Sequence, residues 1–330
     1  MLAAIPTMTY AKPEAKPDSD MKKVLDELAL KGGKPIETLS ATEARKQPTP
    51  ADAVKSLMSK GQEKKTDKGF AKVEDRNISG AAGEISARFY TPDGKLPMPV
   101  VVYYHGGGWV IADKNVYDGS ARAIALQSKA IVVSVDYREA PESKFPAAHD
   151  DAFAAYQWVL KNAASFGGDP KKIAVAGESA GGNLAINVAI SARDKGAQAP
   201  THVLAVYPVA SSAMNTPSYI DNKDAKPLNA PMMTWFMKNY LNNMGEAKDP
   251  RINLVGANLK GLPETTIITA QIDPLMSEGK ELADKMIAAG VKVNYKNYEG
   301  VTHEFFGMAP IVGDAKDAQK WGTGELKKTF

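Results

Sequence analysis

The stretch Ile173-Ala174-Val175-Ala176-Gly177-Glu178-Ser179-Ala180-Gly181-Gly182 decides the fold. An apolar run ends in Gly-Glu-Ser-Ala-Gly, and a helix-like segment from Gly182 to Arg193 follows. Strand, sharp turn and helix form the context in which G-x-S-x-G presents a serine as a nucleophile. A side chain on such a turn sits in strained backbone and points out of the fold. Its glycine neighbours are required because a Cβ there would collide with the adjoining strand and helix. The helix directs its first N–H groups and positive dipole end toward the serine, which favours developing negative charge. A plain Gly/Ser turn is the competing reading, so the rest of the chain must decide.

Upstream, Met98-Pro99-Val100-Val101-Val102-Tyr103-Tyr104 reads as a buried strand and runs into His105-Gly106-Gly107-Gly108-Trp109. Three glycines at a strand end leave backbone N–H groups bare and able to approach a ligand closely. Two of them, with the N–H of Ala180, could surround an oxyanion. A flexible turn is the alternative, and it weakens beside the elbow because the two motifs come in the expected order.

A serine nucleophile needs a base, and histidine titrates near neutrality. The chain has 4 histidines: His105, His149, His202 and His303. His105 belongs to the glycine loop and is expected to pin it. His149 stands at a helix start, where a surface or capping role fits. His202 opens the run Val203–Tyr207, at the wrong end of a parallel strand. His303 follows the strand-like Val291–Tyr298 and the turn Glu299-Gly300. That puts it at the C-terminal edge of a sheet, where ligands bind in open α/β folds. The base in turn needs a carboxylate to hold its tautomer. Asp273, at the end of Thr265–Ala270 and before Pro274-Leu275, is the candidate. A helix-cap role competes for it, and Glu278 is a weaker rival carboxylate.

Strands and helices alternate along the chain: Val100–Tyr104, Asn115–Ser128, Ala130–Asp136, Ala147–Asn162, Ile173–Ala176, Gly181–Arg193, Val203–Tyr207. Such alternation predicts an α/β fold with a mostly parallel central sheet and helices on both faces. Phe70 to Thr91 reads as an antiparallel edge hairpin. The rhythm breaks at Ser211 and resumes at Thr265. The expected organisation is a lead at 1–20, two amphipathic helices within 21–65, a catalytic part at 66–210 and 251–330, and an insertion at 211–250. The insertion is soft and aromatic, with Met232, Met233, Trp235, Phe236, Met237 and Tyr240. Either these residues only pack it onto the sheet, or it forms with the N-terminal helices a small cap over an acyl pocket.

The motifs His105-Gly-Gly-Gly-Trp109, Asp136-Tyr-Arg138, Ala140-Pro-Glu142, Gly177-Glu-Ser-Ala-Gly-Gly182, Asp273-Pro-Leu275 and His303-Glu-Phe305 together resemble the hormone-sensitive-lipase-like esterases, the bacterial family IV carboxylesterases of the α/β-hydrolase fold. The chain order Ser179, Asp273, His303 matches that of α/β hydrolases. The resemblance implies a cofactor-free serine hydrolase acting on carboxylic esters. It also implies that the N–H groups of Gly107, Gly108 and Ala180 bind the oxyanion. It favours the cap reading, with Trp109 and Trp235 near the pocket. Family members often dimerise through the strand corresponding to Val291–Tyr298, so a homodimer is expected. Two positions depart from the family pattern: Glu178 stands where Asp or Thr is usual, and Glu139 where Leu is common. Neither belongs to the triad, so both are expected to bear on subgroup and substrate. An amidase, peptidase or acyltransferase using the same triad, and a non-catalytic small-molecule receptor, are the alternatives. The intact triad speaks against the receptor. Elbow serine rather than aspartate speaks against dehalogenase and epoxide-hydrolase chemistry.

Composition agrees with a globular enzyme. The 330 residues carry a formal charge of only +3, with scattered lysines. Nothing reads as a nucleic-acid stripe or a polybasic anchor. No apolar run approaches the ~20 residues of a membrane-spanning helix. The chain has 0 cysteines, so no disulfide or cysteine-based site exists. No H-E-x-x-H or similar spacing suggests a metal. Met1–Ile5 is mildly apolar and Thr9-Tyr10-Ala11 resembles a signal cleavage site, which leaves cytoplasmic and periplasmic or secreted locations both open.

Overall fold

Residues in the apolar runs alternate between two faces, as the period of a strand requires. In β3 (Met98–Tyr104), Val100, Val102 and Tyr104 join one core and Val101 and Tyr103 the other. β5 (Gly168–Glu178) divides in the same way, with Ile173 and Val175 against Ala174 and Ala176. Both faces are therefore covered, which is what near-continuous apolar strands of a parallel sheet demand. The computed structural model describes residues 15–60 and 68–330. The cleavage-like site ending at Ala11 and residues 1–14 of the lead lie outside the described residues, whereas 15–20 are described and run into a helix that starts at Ser19.

The remaining strands are β1 (Phe70–Gly80), β2 (Gly83–Pro92), β4 (Ile131–Val135), β6 (Val203–Val206), β7 (Thr265–Ile272) and β8 (Val293–Thr302). They form an 8-stranded sheet in the order β1-β2-β4-β3-β5-β6-β7-β8. β1 and β2 make the expected antiparallel hairpin at one edge, and every pairing from β4 to β8 is parallel. Helices α5 (Ala147–Asn162), α6 (Ala180–Asp194) and α9 (Met276–Ala288) cover one face. Helices α4 (Asp118–Ser128) and α10 (Gly313–Lys327) cover the other, where α1 (Ser19–Leu30) and α3 (Pro50–Lys60) add Met21, Val24, Ala53 and Val54. Between α1 and α3 lies the one-turn α2 (Ala41–Ala44), started by a reciprocal capping box of Ser40 and Glu43. The insertion holds α7 (Pro217–Asp221) and α8 (Ala230–Tyr240). The Asn229 side chain accepts from the Met232 N–H and Pro231 occupies the first turn of α8, which together set its start.

Two differences from the sequence expectation have physical causes. Glu299-Gly300 is not a turn that ends the last strand. Gly300 adopts φ +67° within β8, and the register against β7 shifts there. A glycine bulge thus carries the strand on to Thr302 and leaves His303 at its end. The helix α10 lay outside the expected alternation. Its buried face is Ala315, Ala318, Gln319, Gly322, Thr323, Glu325 and Leu326, too small and too polar to give a strong apolar period.

The N-terminal part is stitched to the end of β8. The Asp18 N–H donates to the Gly300 carbonyl at 2.8 Å, the Gly313 N–H donates to the Asp20 carboxylate at 2.7 Å, and the Thr302 hydroxyl lies 3.6 Å from the Met21 sulfur. Among the described residues no helix is long and apolar enough to cross a membrane.

Candidate active site

β5 ends at Glu178 and α6 begins at Ala180, so one residue, Ser179, makes the entire turn. It does so at φ 57°, ψ −120°, a strained conformation for a residue with a side chain. The surrounding backbone is too close for anything but glycine at two places. A Cβ on Gly177 would lie 2.1 Å from the Gly181 carbonyl oxygen, and one on Gly181 would lie 2.0 Å from that of Tyr104. The Ser179 N–H donates to Val206 at 2.9 Å and its carbonyl accepts from Asn183, so sheet and helix both hold the turn.

Three chain segments converge at this turn. The His303 Nε2 is 3.0 Å from the Ser179 hydroxyl, and its Nδ1 is 2.6 Å from the Asp273 Oδ2. All three residues are buried. The other Asp273 oxygen accepts the Leu275 N–H at 2.8 Å. Asp273 therefore divides its oxygens: one closes a tight turn ahead of α9, whose N-cap is Leu275 rather than Asp273, and the other faces the imidazole. Glu278 is elsewhere, accepting the Ala210 N–H at 2.7 Å and the Ser211 N–H at 3.2 Å. Burial disfavours the imidazolium of His303, but Asp273, Glu304 and Glu178 outweigh it and the pKa is raised.

The other histidines are structural in place. His105 Nδ1 meets the Gly106 carbonyl at 2.8 Å, and its ring stacks on Tyr137 at 4.4 Å. Tyr137, from the Asp-Tyr-Arg motif, donates its hydroxyl to the His105 carbonyl at 2.8 Å, so that motif braces the glycine loop. His149 is not at the surface. It is buried between the Tyr240 hydroxyl at 2.7 Å and the Asn183 amide oxygen at 2.9 Å, tying α8 to α6, and burial lowers its pKa to about 4. His202 is also buried, on the Thr266 hydroxyl.

Gly107 and Gly108 adopt φ +96° and +59°. A Cβ on Gly108 would strike the Phe236 ring at 2.2 Å. Both glycines line the same cavity as Ser179 and His303, a space of about 360 Å³. Its walls are Leu25, Leu28 and Ile36 from the N-terminal part and Met232, Met233 and Phe236 from α8, with Lys34, Glu37 and Lys226 adding charge. Trp109 lines it too, stacked on Tyr240 at 4.6 Å. Trp235 does not belong to that wall. Its indole N–H donates to the Leu39 carbonyl at 3.0 Å, fastening α8 to the N-terminal part, while the next residue, Phe236, faces the cavity. Among the described residues no group of three or more His, Asp or Glu side chains could hold a metal ion.

A family model described as the alpha/beta hydrolase fold matches residues 101–307. This span contains the glycine loop, the elbow and both partners of Ser179. The chain belongs to the α/β hydrolases, in their hormone-sensitive-lipase-like branch. It is 38% identical over 265 residues to carboxylesterase NlhH of Mycobacterium tuberculosis, covering 78% of this chain and 83% of that one. It is 30% identical over 289 residues to ethyl acetate hydrolase of Pseudomonas putida, covering 86% and 88%. A hyperthermophilic esterase from the archaeon Pyrobaculum calidifontis superposes with a TM-score of 0.82 at 37% identity, covering 88% and 94%.

Beneath the elbow of this α/β hydrolase lies a group of side chains that the sequence leaves almost unmarked. Glu178 is buried and accepts the hydroxyls of Tyr103 and Tyr207, each at 2.5 Å. Glu304 accepts the Tyr117 hydroxyl at 2.5 Å. The departure at Glu178 was the only sign of this in the sequence. The tyrosines come from separate segments with no common spacing. Glu139, the other departure, lies 3.5 Å from Arg45, and burial pushes its pKa to about 8.

Proposed function

We propose that this carboxylic ester hydrolase is a serine carboxylesterase acting on short- to medium-chain esters through an acyl-enzyme. The observation that carries the reading is the chain Ser179–His303–Asp273, at 3.0 and 2.6 Å, opening on an apolar cavity beside two left-handed glycines. His303 takes the serine proton as Oγ attacks the ester carbonyl. Asp273 holds Nδ1–H and stabilises the imidazolium. The N–H groups of Gly107, Gly108 and Ala180 receive the oxyanion. His303 then protonates the leaving alcohol, and the same groups activate water against the acyl-enzyme. Nothing in this sequence of steps calls on a cofactor.

Residues 21–65 and 211–250 act as the cap in this reading, over a catalytic part formed by 66–210 and 251–330. The cavity volume is at the small end of ligand sites, about 300–1,000 Å³, which supports the limited acyl length. The named substrate of the Pseudomonas relative, ethyl acetate, points the same way. β8 is an edge strand of the sheet and is the surface through which two copies would pair. Light scattering that finds only monomer at high concentration removes that part of the reading.

The test is hydrolysis of nitrophenyl esters of increasing acyl length, with Ser179→Ala alongside. Turnover concentrated on short and medium acyl groups and lost in the variant is the expected result. Turnover that survives in folded Ser179→Ala overturns the assignment.

A further inference from the structure

Two carboxyl groups flank the imidazole of His303, and a third is linked to it through an aromatic ring. Asp273 occupies Nδ1, and the Glu304 carboxyl lies 4.0 Å from Nε2, the nitrogen that faces Ser179. The third, Glu178, reaches His303 through a ring: Tyr207 donates its hydroxyl to Glu178 and packs on the imidazole at 4.5 Å between centroids. Glu178 is also the residue directly before the nucleophile. Its two oxygens are divided between Tyr103 on β3 and Tyr207 after β6, so strands on both sides of β5 grip it. A Cβ on Gly106 would lie 2.2 Å from the Tyr117 hydroxyl that binds Glu304, so the glycine loop rests on the same group.

Burial keeps the three tyrosines protonated, with pKa values well above the ordinary 10, so each can donate to its carboxyl when that group is ionised. Glu178 is held between opposing effects. Burial raises its pKa, the Tyr103 and Tyr207 hydroxyls lower it, Glu304 raises it again, and the balance lies at about 7. Glu304 is likewise raised by burial and by Asp273, against His303 and Tyr117. A carboxyl poised in this range gains its charge more readily when an imidazolium forms nearby, and the imidazolium is stabilised in return.

We infer that Glu178, gripped by Tyr103 and Tyr207, is a positioning residue for His303: it fixes the ring that packs on the imidazole and places negative charge beside the imidazolium of acyl transfer. This rests on reading Ser179, His303 and Asp273 as the triad. The position that departs from the family pattern thus bears on the chemistry and not only on subgroup.

The experiment is the profile of kcat/KM from about pH 5 to 9 for the wild type, Glu178→Gln, Tyr207→Phe and Ser179→Ala. A serine-directed phosphonate counts intact sites. The wild type is expected to show, besides the limb set by His303, a further step near pH 7. In Glu178→Gln the step disappears. Loss of an anion also lowers the pKa of His303, so the remaining limb moves to lower pH. Turnover falls on the order of tenfold, the scale of one carboxylate acting across an intermediate dielectric. Tyr207→Phe removes one oxygen and leaves the ring. Glu178 then loses a donor to its charged form, and the step moves to higher pH. A purely structural role would lower turnover equally at every pH. Profiles of wild-type shape in both Glu178→Gln and Tyr207→Phe overturn this inference alone. Activity persisting in Ser179→Ala overturns the triad reading, and this one with it.

Discussion

Ser179, Asp273 and His303 stand at the ends of β5, β7 and β8, whereas the cavity above them is walled by α1, α8 and connecting segments. The lower region is held by directed hydrogen bonds between residues that a parallel sheet brings into register. The upper region presents mainly apolar side chains to the cavity and is fastened by Trp235 to Leu39 and by the Arg45 guanidinium to Val110, Ala140 and Glu142. A one-ångström misplacement in the lower region is expected to cost on the order of a hundredfold in rate. A similar change in the upper region alters which ester fits. Chemistry and selectivity are therefore carried by different forces, and they meet where Gly108 touches Phe236.

The sharpest break of this comparison is Ser179→Ala, for which kcat is expected to fall on the order of 10⁶-fold with little change in melting temperature. Next is Asp273→Asn. Its amide oxygen can still accept from Leu275, so the turn survives, but the amide N–H opposes Nδ1–H of His303 and favours the wrong tautomer. A loss of about 10⁴-fold in kcat with an intact fold is expected, and a loss accompanied by unfolding would mean that the turn-closing oxygen dominates. At the meeting point, Gly108→Ala should cost on the order of 10²–10³ in kcat, the scale of a lost oxyanion donor. Adding Phe236→Ala should recover part of that loss, and strict additivity in the double variant would disconnect the two regions. In the upper region alone, Phe236→Ala should shift preference toward longer acyl chains by about tenfold in kcat/KM, within the range of one pocket contact.

The pH profile probes the lower region more gently. In the proposed mechanism His303 is a neutral base, and its pKa is raised in the folded protein. Activity is therefore present above that pKa and is lost as pH falls through it. The midpoint of its limb in kcat/KM should lie above the usual imidazole value of about 6.5. A midpoint below that value would mean that burial outweighs the carboxyl groups.

The same division explains what the sequence made legible. Ser179 announces itself because the elbow tolerates only glycine at 177 and 181, a constraint written into adjacent residues. The alternating strands are equally plain, since a sheet covered on both faces needs apolar residues at successive positions. Asp273 is harder because capping a helix and holding a histidine call for the same residue type at the same place. His303 emerges by elimination among few histidines, although the bulge at Gly300 that extends its strand is not visible. The cavity wall is the least legible part. Leu25 and Leu28 belong to an amphipathic helix that the sequence shows, but only the tertiary arrangement brings them and Ile36 across one cavity from Phe236, which is about 200 residues further along the chain. Trp235 and Phe236 are neighbours in sequence, and helix geometry alone sends one to a carbonyl and the other to the cavity.

The fastening of Asp18, Asp20 and Met21 to Gly300, Gly313 and Thr302 gives the first helix a second office. Two of these moorings, at Gly300 and Thr302, lie three residues and one residue before His303, the proposed general base, and the third lies beyond it at Gly313. Clipping the chain after α1 would do more than widen the entrance. It would free the end of β8 and let the imidazole drift, so a truncated enzyme would gain room for its substrate and lose the aim of its base.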